Sequence, residues 1–210
     1  LTAAPFTHYI DLQGKMVLPG LMDSHVHPLG AALHEFDHPI PDMETIADVL
    51  AYVRQRAKDL PAGEWILLRQ VFITRLREQR YPTRAELDAA APEHPVLFST
   101  GPDGMLNTLG LKISGIDRDF KVVGNGQIEK DAAGEPTGML RSCTRYAKTK
   151  SPAKKATPEQ ERTRLAELFR DYNSVGLTTV ADRDCKSEAI AAYMQLRADN
   201  NLTVRMRISH

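Results

Sequence analysis

Two histidines separated by one residue, His25 and His27, have the type and spacing of metal ligands. They lie in a short apolar run, residues 21–27, which has the character of a β-strand. Residues two positions apart in a strand point to the same side, so both imidazoles would project together. Neutral imidazoles are good ligands for zinc and neighbouring metals. The spacing therefore suggests a divalent metal site for zinc or a neighbouring metal, although such a pair can also occur by chance.

The surroundings of the pair favour an active site. Pro28 ends the predicted strand and places both histidines at its carboxyl end, which is where parallel sheets and barrels build their sites. Asp23 supplies a carboxylate on the same strand, and a carboxylate near a ligating histidine can orient its ring. Asp23 is therefore the predicted supporting residue behind the two ligands.

The remaining histidines do not complete this site. His34 and His38 have a helical ligand spacing, but two prolines beside them argue against a helix, so we expect both in an exposed loop. His94 is expected to be structural, and His210 ends the last predicted strand without being assigned as a ligand. A catalytic metal site needs about three protein ligands and an open position for water. His25 and His27 thus account for only part of one.

Periodicity and capping patterns predict the elements that position these residues. A hairpin is expected over residues 8–17, and Asp42 is the expected N-cap of a helix over 43–60. Further helices are predicted over 83–90 and 107–113, strands over 65–68 and 96–98, and a hairpin over 128–139. The last third predicts a helix from Thr157, a strand over 177–181, a helix over 187–200 and a strand over 202–208. That alternation is typical of α/β winding around a parallel sheet.

Composition limits the partners of this protein. Lys and Arg together number 27, as do Asp and Glu, so there is no basic field for a nucleic acid. No apolar run approaches the roughly 20 residues of a membrane span. A small-molecule substrate is the expected partner, and homo-oligomer formation stays open. Cys143 and Cys185 have no metal-binding spacing; reduced thiols would favour the cytoplasm and a disulfide would indicate export, so the compartment stays open.

Residues 10–27, IDLQGKMVLPGLMDSHVH, resemble the opening of the amidohydrolase superfamily, in which a small β-sandwich segment leads into barrel strand 1. Other stretches are similar to the amidohydrolase family 3 branch, whose members include N-substituted formamide deformylase-like metal-dependent hydrolases. These stretches are GEWI at 63–66, PTRAELDAAAPEHPV at 82–96, NTLGL at 107–111, DAAGEPTG at 131–138 and GLTTV at 176–180.

The resemblance implies an α/β fold, namely the N-terminal part of a TIM (β/α)8 barrel. Residues 1–20 would be a remnant of the β-sandwich domain with its lead-in, and 21–29 would be barrel strand 1. Residues 30–145 would be a large α+β insertion after strand 1, and 146–210 would carry barrel helices and strands 2 and 3. Since a complete barrel needs roughly 250 residues without insertions, we expect these 210 residues to be part of a longer chain.

The resemblance also implies a function. One or two divalent ions would be bound, with zinc as the expected metal. His25 and His27 would bind the more buried ion, with Asp23 as a supporting neighbour. The other ligands and a general-base Asp would come from later strands outside this chain. The implied enzyme is an amidohydrolase that uses metal-activated water on carbon–nitrogen bonds of non-peptide amides, N-acyl or N-formyl compounds. Pro102 departs from the family, which usually has a histidine there, and this puts a substrate contact in doubt.

Two alternatives stay open. The chain could be a catalytically inactive module that needs a partner copy or a missing C-terminal half. The same barrel could also carry a phosphotriesterase- or deaminase-like reaction, because one fold serves many chemistries.

Overall fold

The structure is a computed structural model that describes residues 8, 10–34, 36, 38, 40–69, 71–150 and 155–209. The chain divides into two compact units. The first unit comprises Leu1–Phe36 with Lys155–His210, and the second unit comprises Asp37–Lys154. The division into 1–20, 21–29, 30–145 and 146–210 stays a prediction.

The described residues form a mixed α/β structure. The strands are β1 Leu21–Val26, β2 Ile66–Arg69, β3 Val96–Ser99, β4 Gly104–Leu106, β5 Gln127–Lys130, β6 Pro136–Arg141, β7 Leu177–Asp182 and β8 Arg205–Ile208. The α-helices are α1 Pro28–Leu33, α2 Ile46–Asp59, α3 Arg84–Ala90, α4 Thr108–Ser114, α5 Pro158–Ser174 and α6 Ser187–Ala198. None of these helices has the length and apolar character that crossing a bilayer would require.

The first unit contains a parallel sheet of three strands in the order β1-β7-β8, which confirms the predicted α/β winding. Its core is built from the apolar stripes of α5 and α6 packed on β7, with Leu165, Phe169, Val180 and Tyr193 all buried. Helix α5 begins where the sequence predicts, because the Thr157 side chain accepts a hydrogen bond from the backbone of residue 160 in a capping box. The sheet therefore brings the carboxyl ends of β1 and β7 side by side.

The second unit contains a five-stranded mixed sheet in the order β2-β3-β4-β6-β5. Alternate residues of its central strands enter two separate cores, so the sheet is covered on both faces. Phe98 of β3 packs in one core with residues of α2 and α3. Leu97, its neighbour, packs in the other core with Leu111 of α4. This period-two alternation is what a strand buried on both faces requires.

The structure differs from the sequence expectations at four places. No strand occurs among the described residues of 8–17, where Gln13 and Gly14 form a turn instead and Tyr9 lies outside the description. Helix α2 is capped by Thr45 and not Asp42, because Thr45 forms a reciprocal capping box with Asp48. Helix α1 and strand β4 were not expected, since the first directly follows a strand and the second is only three residues long.

Candidate metal centre

His25 and His27 lie next to each other at the carboxyl end of β1. Their ring centroids are 5.2 Å apart and their planes meet at 89°, an edge-to-face arrangement. His25 is exposed, and 54% of the His27 side chain is accessible. The strand passes directly into α1, since His27 occupies the N-cap position and its carbonyl accepts a hydrogen bond from Ala31 N. Two accessible imidazoles thus lie on a backbone segment with strand β1 before it and helix α1 after it.

Asp182 lies beside His27 because β7 runs parallel to β1 and its last residue pairs with Val26. The Asp182 Oδ1 atom is 3.5 Å from His27 Nδ1, and only 3% of the Asp182 side chain is accessible. The Tyr193 hydroxyl donates a hydrogen bond of 2.9 Å to Asp182 Oδ2. The Asp184 backbone N–H approaches Oδ1 at 3.4 Å. A buried carboxyl group therefore contacts one of the two predicted ligands.

Asp182 is not among the predicted site residues, although the sequence carries a signal for it. Asp182 directly follows the predicted strand 177–181, and the carboxyl ends of parallel strands meet at one edge of a sheet. Asp23, the carboxylate that the sequence predicts instead, is exposed, and its Oδ1 accepts a hydrogen bond of 2.9 Å from His25 N. The described contact of Asp23 is therefore to the backbone of a predicted ligand. A role for Asp23 beside an imidazole stays a prediction.

Tyr193 and Cys185 flank the Asp182 carboxyl group in the interior of the first unit. Burial, followed by the Asp182 contact, raises the pKa of the Tyr193 hydroxyl far above its usual value. The same two causes raise the pKa of the Cys185 thiol to about 11. Both groups therefore carry their protons at neutral pH, which makes the Tyr193 hydroxyl a donor toward Asp182. Both cysteines, Cys143 and Cys185, are free and buried.

The donor set fits part of a divalent metal site. Two imidazole nitrogens are suitable ligands for zinc and its neighbours. No group of three or more His, Cys, Asp or Glu side chains that could hold a metal occurs in the part of the chain that the structure describes. His25 and His27 would therefore bind a metal together with ligands from elsewhere.

The other histidines lie in separate surroundings. His34 follows α1, and His38 forms a 2.7 Å hydrogen bond with the Tyr52 hydroxyl. Both lie outside helices and strands, as expected, but they are half-buried, so the expected exposure is wrong. The reason is that the first ends an unexpected helix and the second stacks on an aromatic ring. His94 is buried with Nδ1 at 3.0 Å from Glu64 O, as expected of a structural residue. His210 lies outside the described residues.

Pro102 is exposed in the second unit. Its carbonyl accepts a hydrogen bond of 3.2 Å from Thr144 N. The proline ring offers neither a ligand nor a hydrogen-bond donor. The side chain at position 102 therefore cannot make the hydrogen bond that a histidine could make there.

Comparison with known proteins identifies relatives of the whole chain. The family model described as "Amidohydrolase family" matches residues 8–210. N-substituted formamide deformylase of Arthrobacter pascens is 30% identical over 216 residues, which cover 99% of this chain and 40% of that protein. Exoenzymes regulatory protein AepA of Pectobacterium carotovorum subsp. carotovorum is 27% identical over 215 residues, covering 96% of this chain and 46% of that protein. The chain thus spans less than half of the length of these two curated relatives.

A solved structure is also similar. The crystal structure of an uncharacterized metal-dependent hydrolase from Pyrococcus furiosus matches with a TM-score of 0.46 and 19% identity, over 95% of this chain and 39% of that one.

Proposed function

Because the chain belongs to the amidohydrolase family, we propose that this protein is a metal-dependent hydrolase of carbon–nitrogen bonds other than peptide bonds. The observation that carries the proposal is the pair of accessible imidazoles, His25 and His27, side by side at a strand end. The substrate class is an amide, N-acyl or N-formyl compound of low molecular mass. The name of the Arthrobacter pascens relative supports the N-formyl class.

In this proposal the parallel strands β1, β7 and β8 are the first strands of a TIM barrel, and the metal is zinc. The carboxyl end of a barrel strand is where such enzymes carry their ligands, and His25 and His27 occupy that end of β1. The remaining ligands and the general-base carboxylate are supplied from outside the described residues. A barrel is consistent with three parallel strands covered by α1, α5 and α6.

The chemistry divides between the metal and the side chains. A bound divalent metal lowers the pKa of a bound water molecule toward about 7 and polarises the substrate carbonyl. His25 and His27 would each donate one imidazole lone pair to it, and their edge-to-face arrangement keeps the two rings from stacking on each other. The fixed turn from β1 into α1 holds His27 at the strand end while substrate binds.

Metal content and turnover test this proposal in the protein expressed from its complete reading frame. We expect stoichiometric zinc or another divalent metal by elemental analysis, and hydrolysis of at least one member of a panel of N-formyl and N-acyl amines. The double variant His25→Ala with His27→Ala should lose both. The matched control His8→Ala removes another exposed imidazole and should lose neither.

The outcomes separate the alternatives. Full metal content and full activity in the double variant would refute the proposal. Turnover of phosphotriesters or of deaminase substrates, without turnover of the amide panel, would assign a different reaction to the same site. A folded wild-type protein that binds no metal and turns over no substrate would indicate a catalytically inactive module.

A further inference from the structure

The buried carboxyl group of Asp182 has a neighbour on each of its two oxygen atoms. His27 Nδ1 lies 3.5 Å from Oδ1, and the Tyr193 hydroxyl donates to Oδ2 at 2.9 Å. We propose that Asp182 is a positioning residue that sets the ring orientation and the tautomer of His27, and that Tyr193 holds Asp182 in place for this purpose. This inference rests on the proposed function, because it concerns the readiness of His27 to bind a metal.

Burial and charge support this role for Asp182. A buried carboxylate is costly unless it is paired and hydrogen-bonded. Among the described residues, Asp182 forms no ion pair with a lysine or arginine side chain, and the basic group beside it is the His27 imidazole. The Tyr193 hydroxyl and the Asp184 backbone N–H donate to the carboxyl group, and the Cys185 thiol lies beside it. Oδ2 thus accepts from the buried Tyr193 hydroxyl, and Oδ1 lies between the Asp184 backbone N–H and the His27 imidazole.

The tautomer of His27 follows from this contact. A neutral imidazole carries its proton on one nitrogen and a lone pair on the other. Because a carboxyl oxygen lies 3.5 Å from Nδ1, a proton on Nδ1 is favoured, and Nε2 then keeps the lone pair that a metal needs. The distance of 3.5 Å exceeds the usual N–H···O distance of about 2.9 Å. We expect it to shorten when a cation withdraws electron density from the ring.

Two hydrogen bonds from Arg183 join the ends of β7 and β1, beside Asp182 and His27. The Arg183 side chain donates a hydrogen bond of 2.7 Å to Ser24 O. Its backbone N–H donates one of 3.3 Å to Val26 O. These bonds hold the first residue after β7 against the end of β1, so the position of Asp182 relative to His27 is set by the sheet. Asp182 is therefore placed to act on His27 before any metal arrives.

The test compares Asp182→Asn with the matched control Asp184→Asn in the protein expressed from its complete reading frame. Both variants remove one carboxylate, and Asp184 is exposed. The first readout is the tautomer of His27 in the metal-free protein, measured from long-range ¹H–¹⁵N correlations with His25 as the internal reference. The second is zinc affinity by competition with a chromophoric chelator.

In wild type and in Asp184→Asn we expect the Nδ1–H tautomer of His27. In Asp182→Asn that tautomer should lose its predominance, and zinc affinity should fall about 10- to 100-fold, the usual effect of losing a carboxylate behind a ligating histidine. Tyr193→Phe removes only the hydroxyl and should produce the same changes with smaller size. The tautomer of His25 should be unchanged throughout.

An unchanged His27 tautomer and unchanged zinc affinity in a folded Asp182→Asn variant would overturn the inference. If that variant does not fold, an unchanged tautomer and affinity in Tyr193→Phe would overturn it equally. If wild type binds no zinc, the proposed function fails. The tautomer of metal-free His27 then still decides whether Asp182 positions the ring, so the two failures are distinguishable.

Discussion

Replacing Asn107 by alanine should destabilise the second unit strongly, although this side chain carries no charge and belongs to no predicted site. Asn107 is 1% exposed. Its Oδ1 accepts hydrogen bonds of 2.9 Å from both Gly110 N and Val96 N. Its Nδ2 donates one of 2.8 Å to His94 O. One amide group therefore caps helix α4 and also binds the backbone at the start of strand β3.

The magnitude follows from what each lost bond leaves behind. Loss of the cap on Gly110 N costs about 1 kcal/mol. The Val96 N–H and the His94 carbonyl would remain buried without these partners, at about 1–3 kcal/mol each. The total of about 3–7 kcal/mol is a large share of the 5–15 kcal/mol that usually separates folded from unfolded domains. Asn107→Ser should recover about 1 kcal/mol, because serine still caps a helix.

Urea unfolding and hydrogen exchange measure this effect. Trp65 is the single tryptophan of these 210 residues and is buried in the second unit, so its fluorescence reports on that unit. Amide exchange at Val96 and Gly110 should accelerate in Asn107→Ala. The control Asn125→Ala removes an exposed amide of the same unit and should change neither signal. A cost below about 1 kcal/mol with unchanged exchange at Val96 would refute the reasoning, since unpaired buried groups should cost more.

Two further predictions concern the second unit. Gly138→Ala should destabilise it far more than Gly134→Ala: both glycines have positive φ, of 99° and 81°, but a Cβ on Gly138 would lie 2.3 Å from Leu106 O, whereas one on Gly134 meets nothing within 4 Å. Urea midpoints compare the two, and equal shifts would contradict the clash. The side-chain hydrogen bond from Arg80 lowers the pKa of Glu86 to about 2 from 4.5. Because this pKa is lower in the folded state, the resulting stability is present above about pH 4.5 and is lost as the pH falls toward 2. Glu86→Gln should flatten the unfolding free energy over that window, and an unchanged slope would count against the pairing.

The parts of the fold that the sequence predicts well depend on contacts between near neighbours. Helices α3 and α5 begin at Thr83 and Thr157 as expected, since a capping box joins residues only three positions apart. The start of α2 was misplaced because its box uses Asp48 at the position where glutamate or glutamine is the usual signal.

Elements that depend on distant partners were not predictable in this way. Strand β4 has three residues and begins with Gly104, so it has almost no β signal of its own. It forms because it pairs with β3 on one side and β6 on the other. The hairpin expected over 8–17 shows the opposite error. Short apolar pairs flank its Gln13-Gly14 turn, but an isolated two-stranded hairpin is at best marginally stable.

In the candidate site too, the contact between near neighbours in sequence is predictable and the contact between distant residues is not. The proximity of His25 and His27 follows from strand alternation alone, and the structure places their rings together. The contact of His27 with Asp182 joins two parallel strands, and only the register of β1 against β7 creates it. Asp23 is the predicted supporting residue because it lies close to His25 and His27 in the sequence. Nearness in sequence does not distinguish a carboxylate that contacts the backbone from one that contacts an imidazole.

Burial explains why the two aspartates differ in what they can do for a ligand. Asp23 is exposed, so water competes for its oxygens and weakens any hold on a nearby ring. Asp182 is covered by the helical side of the first unit and is anchored by Tyr193, while His27 reaches it from the accessible side. A hydrogen bond in the low-dielectric interior is stronger and better oriented than the same bond in water. The end of the sheet therefore lets His27, a predicted ligand, face the solvent while the carboxyl group that we propose orients it stays buried, an arrangement that a single strand could not provide.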